Sequence, residues 1–164
     1  MIHALRGAVP VLALALAAGL ELVSLQGAND ASAQSHDEYV AGEPGDPSRA
    51  ARVVEISITD NDGDLAYMPN SIAVKKGEQI DFVLRNAGAL DHEFKLDSPE
   101  NNAKHKTEMG KNPEMEHDDA NAKRLAPGQS DHLIWKFSKG GTFEFACLIP
   151  GHYEVGMHGV IKVE

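Results

Sequence analysis

The chain has 164 residues, 15 of them basic and 25 acidic, with a formal net charge of −10 and 42% hydrophobic residues. That length suits one ordinary domain with a targeting segment or tail, and the composition is globular. The acidic balance leaves no basic stripe to displace phosphate counterions, which argues against a nucleic-acid partner. A single cysteine, Cys147, excludes an internal disulfide framework, a Cys-x-x-Cys redox pair, a Cys-rich zinc site and any copper centre that needs two thiolates.

Residues 1–33 read as a cleaved export signal. His3 and Arg6 give a weakly positive start, Ala8 to Leu20 is an apolar run, and Ala31-Ser32-Ala33 is a small-x-small cleavage pattern. The run falls short of the roughly 20 apolar residues that span a bilayer, so no membrane insertion is expected after cleavage. The expected location is the periplasm. Export places the lone Cys147 in an oxidising compartment, where an exposed free thiol is a liability and a metal bond protects it.

Residues 34–51 are polar, with Gly42, Pro44, Gly45 and Pro47, and read as a flexible lead-in. The domain is expected over 52–164. Val54, Ile56 and Ile58 alternate with polar residues as a half-buried strand, and Asn61-Asp62-Gly63-Asp64 is a turn. Further strands are expected over 71–75, 79–85, 92–96, 133–137, 142–146 and 160–163. Short strands with Gly or Pro turns and no convincing long helix indicate an all-β, antiparallel sandwich or barrel. Asp97 to Ala126 breaks this rhythm and is read as a long loop insertion bearing Met and His, with a helical turn or two over Asp118 to Arg124.

The chemistry concentrates in Cys147-Leu-Ile-Pro-Gly-His152-Tyr-Glu-Val-Gly-Met157. Fully extended, its ends would lie about 33 Å apart. Pro150-Gly151 and Gly156 let the chain turn, so that a thiolate, an imidazole and a thioether can converge. That soft set suits copper and excludes calcium and magnesium. A second imidazole completes a trigonal His2Cys plane with a long axial Met, and His92, at the start of its own strand, is the best candidate. A zinc site of Cys and two His is chemically open but leaves Met157 unexplained, and a Cys-His hydrolase lacks an orienting Asn or Asp in the loop. Asn86 is a candidate tie between the two ligand loops, or a plain turn residue. Met109, Met115 and His117 form a candidate auxiliary Cu(I) site; the plainer alternative is that the two methionines pack the loop and His117 is solvated.

These pieces resemble the cupredoxins, or type 1 copper proteins. The resemblance rests on Met68 to Gly77, on Val83 to Phe94 with Asn86 and His92, and on Gly141 to Cys147 through Met157-His158-Gly159. It spans about Arg52 to Glu164. It implies a Greek-key β-sandwich and one copper ion, Cu(I)/Cu(II), held by His92, Cys147, His152 and Met157. The chain departs from the plastocyanin pattern, in which two residues separate Cys from His instead of four. Within the family it looks most like periplasmic bacterial cupredoxins linked to copper tolerance, through Met109 to Asp119 followed by Leu125-Ala-Pro-Gly128. No enzymatic activity is expected, since copper oxidases need further His clusters and no His-x-His pair occurs. Two roles follow for such a site. One is copper tolerance and homeostasis; the alternative is a diffusible electron carrier with a redox partner protein.

Overall fold

The structure, a computed structural model, describes residues 39–61, 63–113 and 119–164. The expected signal segment, Met115 and His117 lie outside the described residues. Among the described residues, ten strands and one helix follow in order: β1 (Glu43–Pro44), β2 (Arg52–Asn61), β3 (Asp64–Met68), β4 (Ser71–Val74), β5 (Gln79–Asn86), β6 (His92–Asp97), α1 (Pro99–Lys111), β7 (Ala122–Leu125), β8 (Ser130–Lys136), β9 (Gly141–Ala146) and β10 (His158–Val163). They form two five-stranded sheets, β1-β8-β5-β2-β3 and β4-β10-β9-β6-β7.

The period-two patterns decide which faces meet. Ile56 and Ile58 of β2, Ile80, Phe82 and Leu84 of β5, and Leu133 and Trp135 of β8 are buried from one sheet; Phe94, Leu96, Phe143, Phe145 and Ile161 are buried from the other. Aromatic rings join the layers. Phe94 stacks on Phe145 at 5.1 Å between centroids, Tyr67 meets both edge-on, and Phe82 packs on Phe94 at 5.5 Å. The product is a two-layer β-sandwich, as the sequence led one to expect.

Each sheet is mixed, where the sequence suggested antiparallel pairing throughout. β2 runs parallel to β5, and β4 parallel to β10. The reason is topological: the chain leaves the first sheet after β3, adds β4 to the second, and returns as β5 alongside β2.

Two segments differ further from expectation. The lead-in is pinned over its described part: β1 pairs with β8, Ala41 is buried, and Tyr39 packs edge-on against Trp135 at 5.1 Å. The expected long loop is instead α1 followed by β7. Ser98 caps the helix, its side chain accepting from the Asn101 N–H at 3.1 Å, with Pro99 in the first turn and Lys111 in the last. Residues 122–124, read as part of a helical turn, instead form β7 together with Leu125 and pair with β6; Ala122 and Leu125 are buried there, while the half-buried Lys123 and the exposed Arg124 lie along a sheet edge. Among the described residues, no helix is long and apolar enough to cross a membrane.

Candidate metal centre

β9 delivers Cys147 into the interior, and the segment after it returns to β10 through two tight turns. Gly151 and Gly156 have φ of 92° and 100°, a region that side chains rarely adopt. The backbone closes on itself: His152 N–H donates to Ile149 O (3.1 Å), Gly156 N–H to Tyr153 O (3.0 Å) and Met157 N–H to His152 O (3.2 Å). Cys147 N–H donates to Met157 O at 3.1 Å, so two residues ten apart in sequence are neighbours in space. Cys147 and Met157 are wholly buried and belong to the main core; His152 is half-buried.

His92 comes from the first position of β6, and it too is wholly buried. One donor atom each from His92, Cys147 and His152 lies within 4.8 Å of the others. Cys147 Sγ is 3.3 Å from His152 Nδ1, and the two imidazole rings are 5.1 Å apart between centroids. The Glu93 backbone N–H points at Sγ from 3.3 Å.

The electrostatics of the centre follow from burial. Desolvation pushes the Cys147 thiol up to about 12, against the opposing pull of the Glu93 N–H. It also holds both imidazoles below their ordinary range, His92 against the pull of Asp60 and His152 with further help from His92. The centre without metal is thus a cluster of neutral donors. His92 Nδ1 is buried and has no hydrogen-bond partner in the protein, which is costly unless something else binds it. A thiol and two imidazoles converging around that orphaned nitrogen fit a soft or borderline metal such as copper or zinc, and not a hard cation.

The structure therefore brings together three of the four residues singled out in the sequence as a donor cluster, and places the fourth, Met157, buried at the loop's closing hydrogen bond. Asn86 ties the His92 approach elsewhere than expected. Its Nδ2 donates to Leu90 O (2.7 Å) and Leu125 O (3.0 Å) and its Oδ1 accepts from Gly88 N–H (2.9 Å), linking that loop to the end of β7 and not to the Cys147 loop. Met109 is buried on α1 against Ala146 and Leu148, under Tyr153. Of the remaining described histidines, His105 is half-buried on α1. His132 is exposed beside Asp81 at 2.9 Å, and His158 is exposed and stacks on Tyr153.

Two acidic residues escaped the sequence reading. Asp60 lies 3.4 Å from His92 Nε2, and its side chain is only 6% exposed. Backbone N–H groups of Ala89 and Leu90, together with His92, hold its carboxyl below the usual range despite desolvation. The signal was available: Asp60 continues the inward alternation Val54, Ile56, Ile58 of β2, and a carboxylate at an inward position needs donors. Glu93 is the other. It is buried, its carboxylate accepts from the Leu148 N–H at 3.3 Å, and its carbonyl accepts from the Tyr67 hydroxyl.

Comparison with known proteins assigns this arrangement. The copper-binding protein family of plastocyanin and azurin matches residues 54–164. The copper-resistant cuproprotein CopI of Rubrivivax gelatinosus is 41% identical over 138 residues, which cover 84% of this chain and 82% of that protein. CopI of Pseudomonas aeruginosa is 33% identical, over 85% of this chain and 91% of the relative. Among solved structures, the reduced auracyanin of the photosynthetic bacterium Roseiflexus castenholzii superposes with a TM-score of 0.58 at 28% identity, covering 71% of this chain and 99% of its own. The chain accordingly belongs to the plastocyanin/azurin family of copper-binding proteins, as a cupredoxin related to the bacterial copper-resistance cuproproteins.

Proposed function

We propose that the protein is an exported, periplasmic type 1 copper protein that binds one copper and acts in copper tolerance and homeostasis, without being an enzyme. The observation that carries the copper reading is the wholly buried lone thiol set among two imidazoles, one of them with an orphaned nitrogen. His92 Nδ1, His152 Nδ1 and Cys147 Sγ are the atoms that would hold the ion, and the buried thioether of Met157 would add a fourth, soft donor. Copper supplies one-electron exchange between Cu(I) and Cu(II) when bound. The protein's part is to keep the donors in place: the sandwich fixes Cys147 and His92, and the hydrogen-bonded turns fix His152 and Met157. Burial keeps water away from the sulfur, protecting an exported thiol from oxidation. The tolerance role is supported by the two copper-resistance relatives, each matched over more than four-fifths of its length.

A second reading, electron transfer to a partner protein, is favoured by one feature. Leu90 and Val155, 49% and 56% exposed, stand on the two loops that carry His92 and His152 and place apolar surface near the centre. A deletion strain grown on graded copper separates the two. The tolerance role predicts copper sensitivity, restored by the wild-type gene and not by Cys147→Ser. Normal growth of the deletion strain on copper, with a defect in respiration or another electron-transfer chain, would favour the shuttle.

A further inference from the structure

The two nitrogens of His92 have different surroundings. Nδ1 is the orphan within the donor cluster, whereas Nε2 faces Asp60 Oδ2 at 3.4 Å. The same carboxylate grips the loop that leads to His92. It accepts from the Ala89 N–H at 2.9 and 2.8 Å with its two oxygens, and from the Leu90 N–H at 2.7 Å. The loop comes close enough only because residue 88 has no side chain: a Cβ on Gly88 would lie 2.5 Å from the Asp60 carboxyl carbon.

Every group around Asp60 in this cradle is a donor. Two backbone N–H groups and, with a metal on Nδ1, the proton that the ring must then carry on Nε2 all converge on two oxygens. An acceptor-only group satisfies them; an amide would turn its own NH2 toward one of them. A carboxylate meets all three donors without presenting one of its own, and it brings a negative charge to the far side of a metal-binding imidazole.

We propose that Asp60 is a positioning residue of the copper centre: it holds His92 as the Nε2–H tautomer, turns the Nδ1 lone pair to the metal and biases the site toward Cu(II). The proposal rests on His92 being a copper ligand. A carboxylate hydrogen-bonded to the outer nitrogen makes the ring a stronger donor. The added negative charge favours the doubly charged ion over the singly charged one, because the Coulomb interaction scales with the ion's charge.

The test is Asp60→Asn, purified and titrated separately with Cu(II) and Cu(I). The variant should keep one equivalent of copper and the visible thiolate absorption. Its Cu(II) affinity should fall by about tenfold, the lower end for loss of such a partner, while Cu(I) affinity changes much less. A tenfold change in that ratio equals a reduction potential raised by about 59 mV for one electron. A purely structural role would loosen the loop for both ions alike, so equal losses, or no loss, would overturn the proposal.

Should the variant fail to fold, the wild type still decides. In its Cu(I) form, nitrogen-edited NMR should find a His92 Nε2–H that is shifted downfield and slow to exchange with water. A His92 proton on Nδ1, or an Nε2–H exchanging as fast as that of an exposed imidazole, would overturn the assignment. His92→Ala separates the two claims. If it retains the thiolate absorption and full affinity, the ligand reading fails and this proposal with it. If it loses both while Asp60→Asn changes neither affinity, only the role of Asp60 fails.

Discussion

Residues 147–157 reach the centre on their own backbone hydrogen bonds, whereas the approach to His92 is anchored to Asp60 and Leu125, both remote from it in the sequence. The first arm is closed by bonds among Cys147, Ile149, His152, Tyr153, Gly156 and Met157, and its glycines supply the turns. The second depends on Asp60, which grips residues 89 and 90, and on Asn86, which joins that loop to Leu125. The outcome differs accordingly: His92 is sealed in the core and His152 is half-buried. One imidazole is built into the scaffold, and the other is carried by a surface turn.

The largest test of this contrast is removal of each ring. His92→Gly and His152→Gly should both lose the native copper spectrum. Added imidazole should restore it in His152→Gly, where solvent reaches the gap, and fail in His92→Gly, where the gap is sealed. His92→Gly should also destabilise the metal-free fold by about 2 kcal/mol or more, as core truncations do. Equal rescue of both variants would break the distinction between scaffold and turn.

Asn86→Ala comes next. It leaves the Leu90 and Leu125 carbonyls and the Gly88 N–H without their partner, at a cost of about 2–3 kcal/mol by denaturant unfolding. Copper affinity should weaken through the His92 arm. A loss under about 0.5 kcal/mol, the ordinary range of a neutral surface change, would show that the loop holds itself.

A smaller effect concerns pH. Both imidazoles titrate below their ordinary value in the metal-free fold, so as pH falls through about 6.5 the unfolded chain takes up protons that the folded one refuses, and stability drops. At the other end the thiol ionises near 9 when unfolded and near 12 when folded, so stability falls again as pH rises above about 9. Thermal unfolding of the metal-free protein should therefore peak near neutrality. Near pH 8, copper loading should release one proton per ion, from the thiol. No proton release would mean that the sulfur is not a ligand.

The same contrast explains what was legible in the sequence. The 147–157 arm is local, and its Cys, His and Met spacing between Pro and Gly announces convergence without knowledge of the fold. The strands were legible for a similar reason, since the alternation over Val54 to Ile58 or Thr142 to Ala146 fixes a buried face locally. Asp60 and the bond from Asn86 to Leu125 were not, because they act across 29 to 39 residues and need the sheet register to be known. α1 was missed because it buries only Asn102 and Met109, two positions seven apart, and so has almost no apolar period. Its start was nevertheless written in Ser98-Pro99-Glu100, a cap, a first-turn proline and an acidic residue at the positive end of the helix. β7 was hidden by Lys123 and Arg124, charges that suit an exposed sheet edge as well as they suit a helix terminus.

The central claim is that Cys147 binds copper as a thiolate inside this cluster. The most direct measurement is titration of the purified, metal-free protein with Cu(II) while the visible spectrum is recorded, for the wild type and for Cys147→Ser. The wild type should develop intense thiolate-to-copper absorption that saturates at one equivalent, and Cys147→Ser should show none. A wild type that binds copper without colour, or a serine variant that keeps it, would contradict the account.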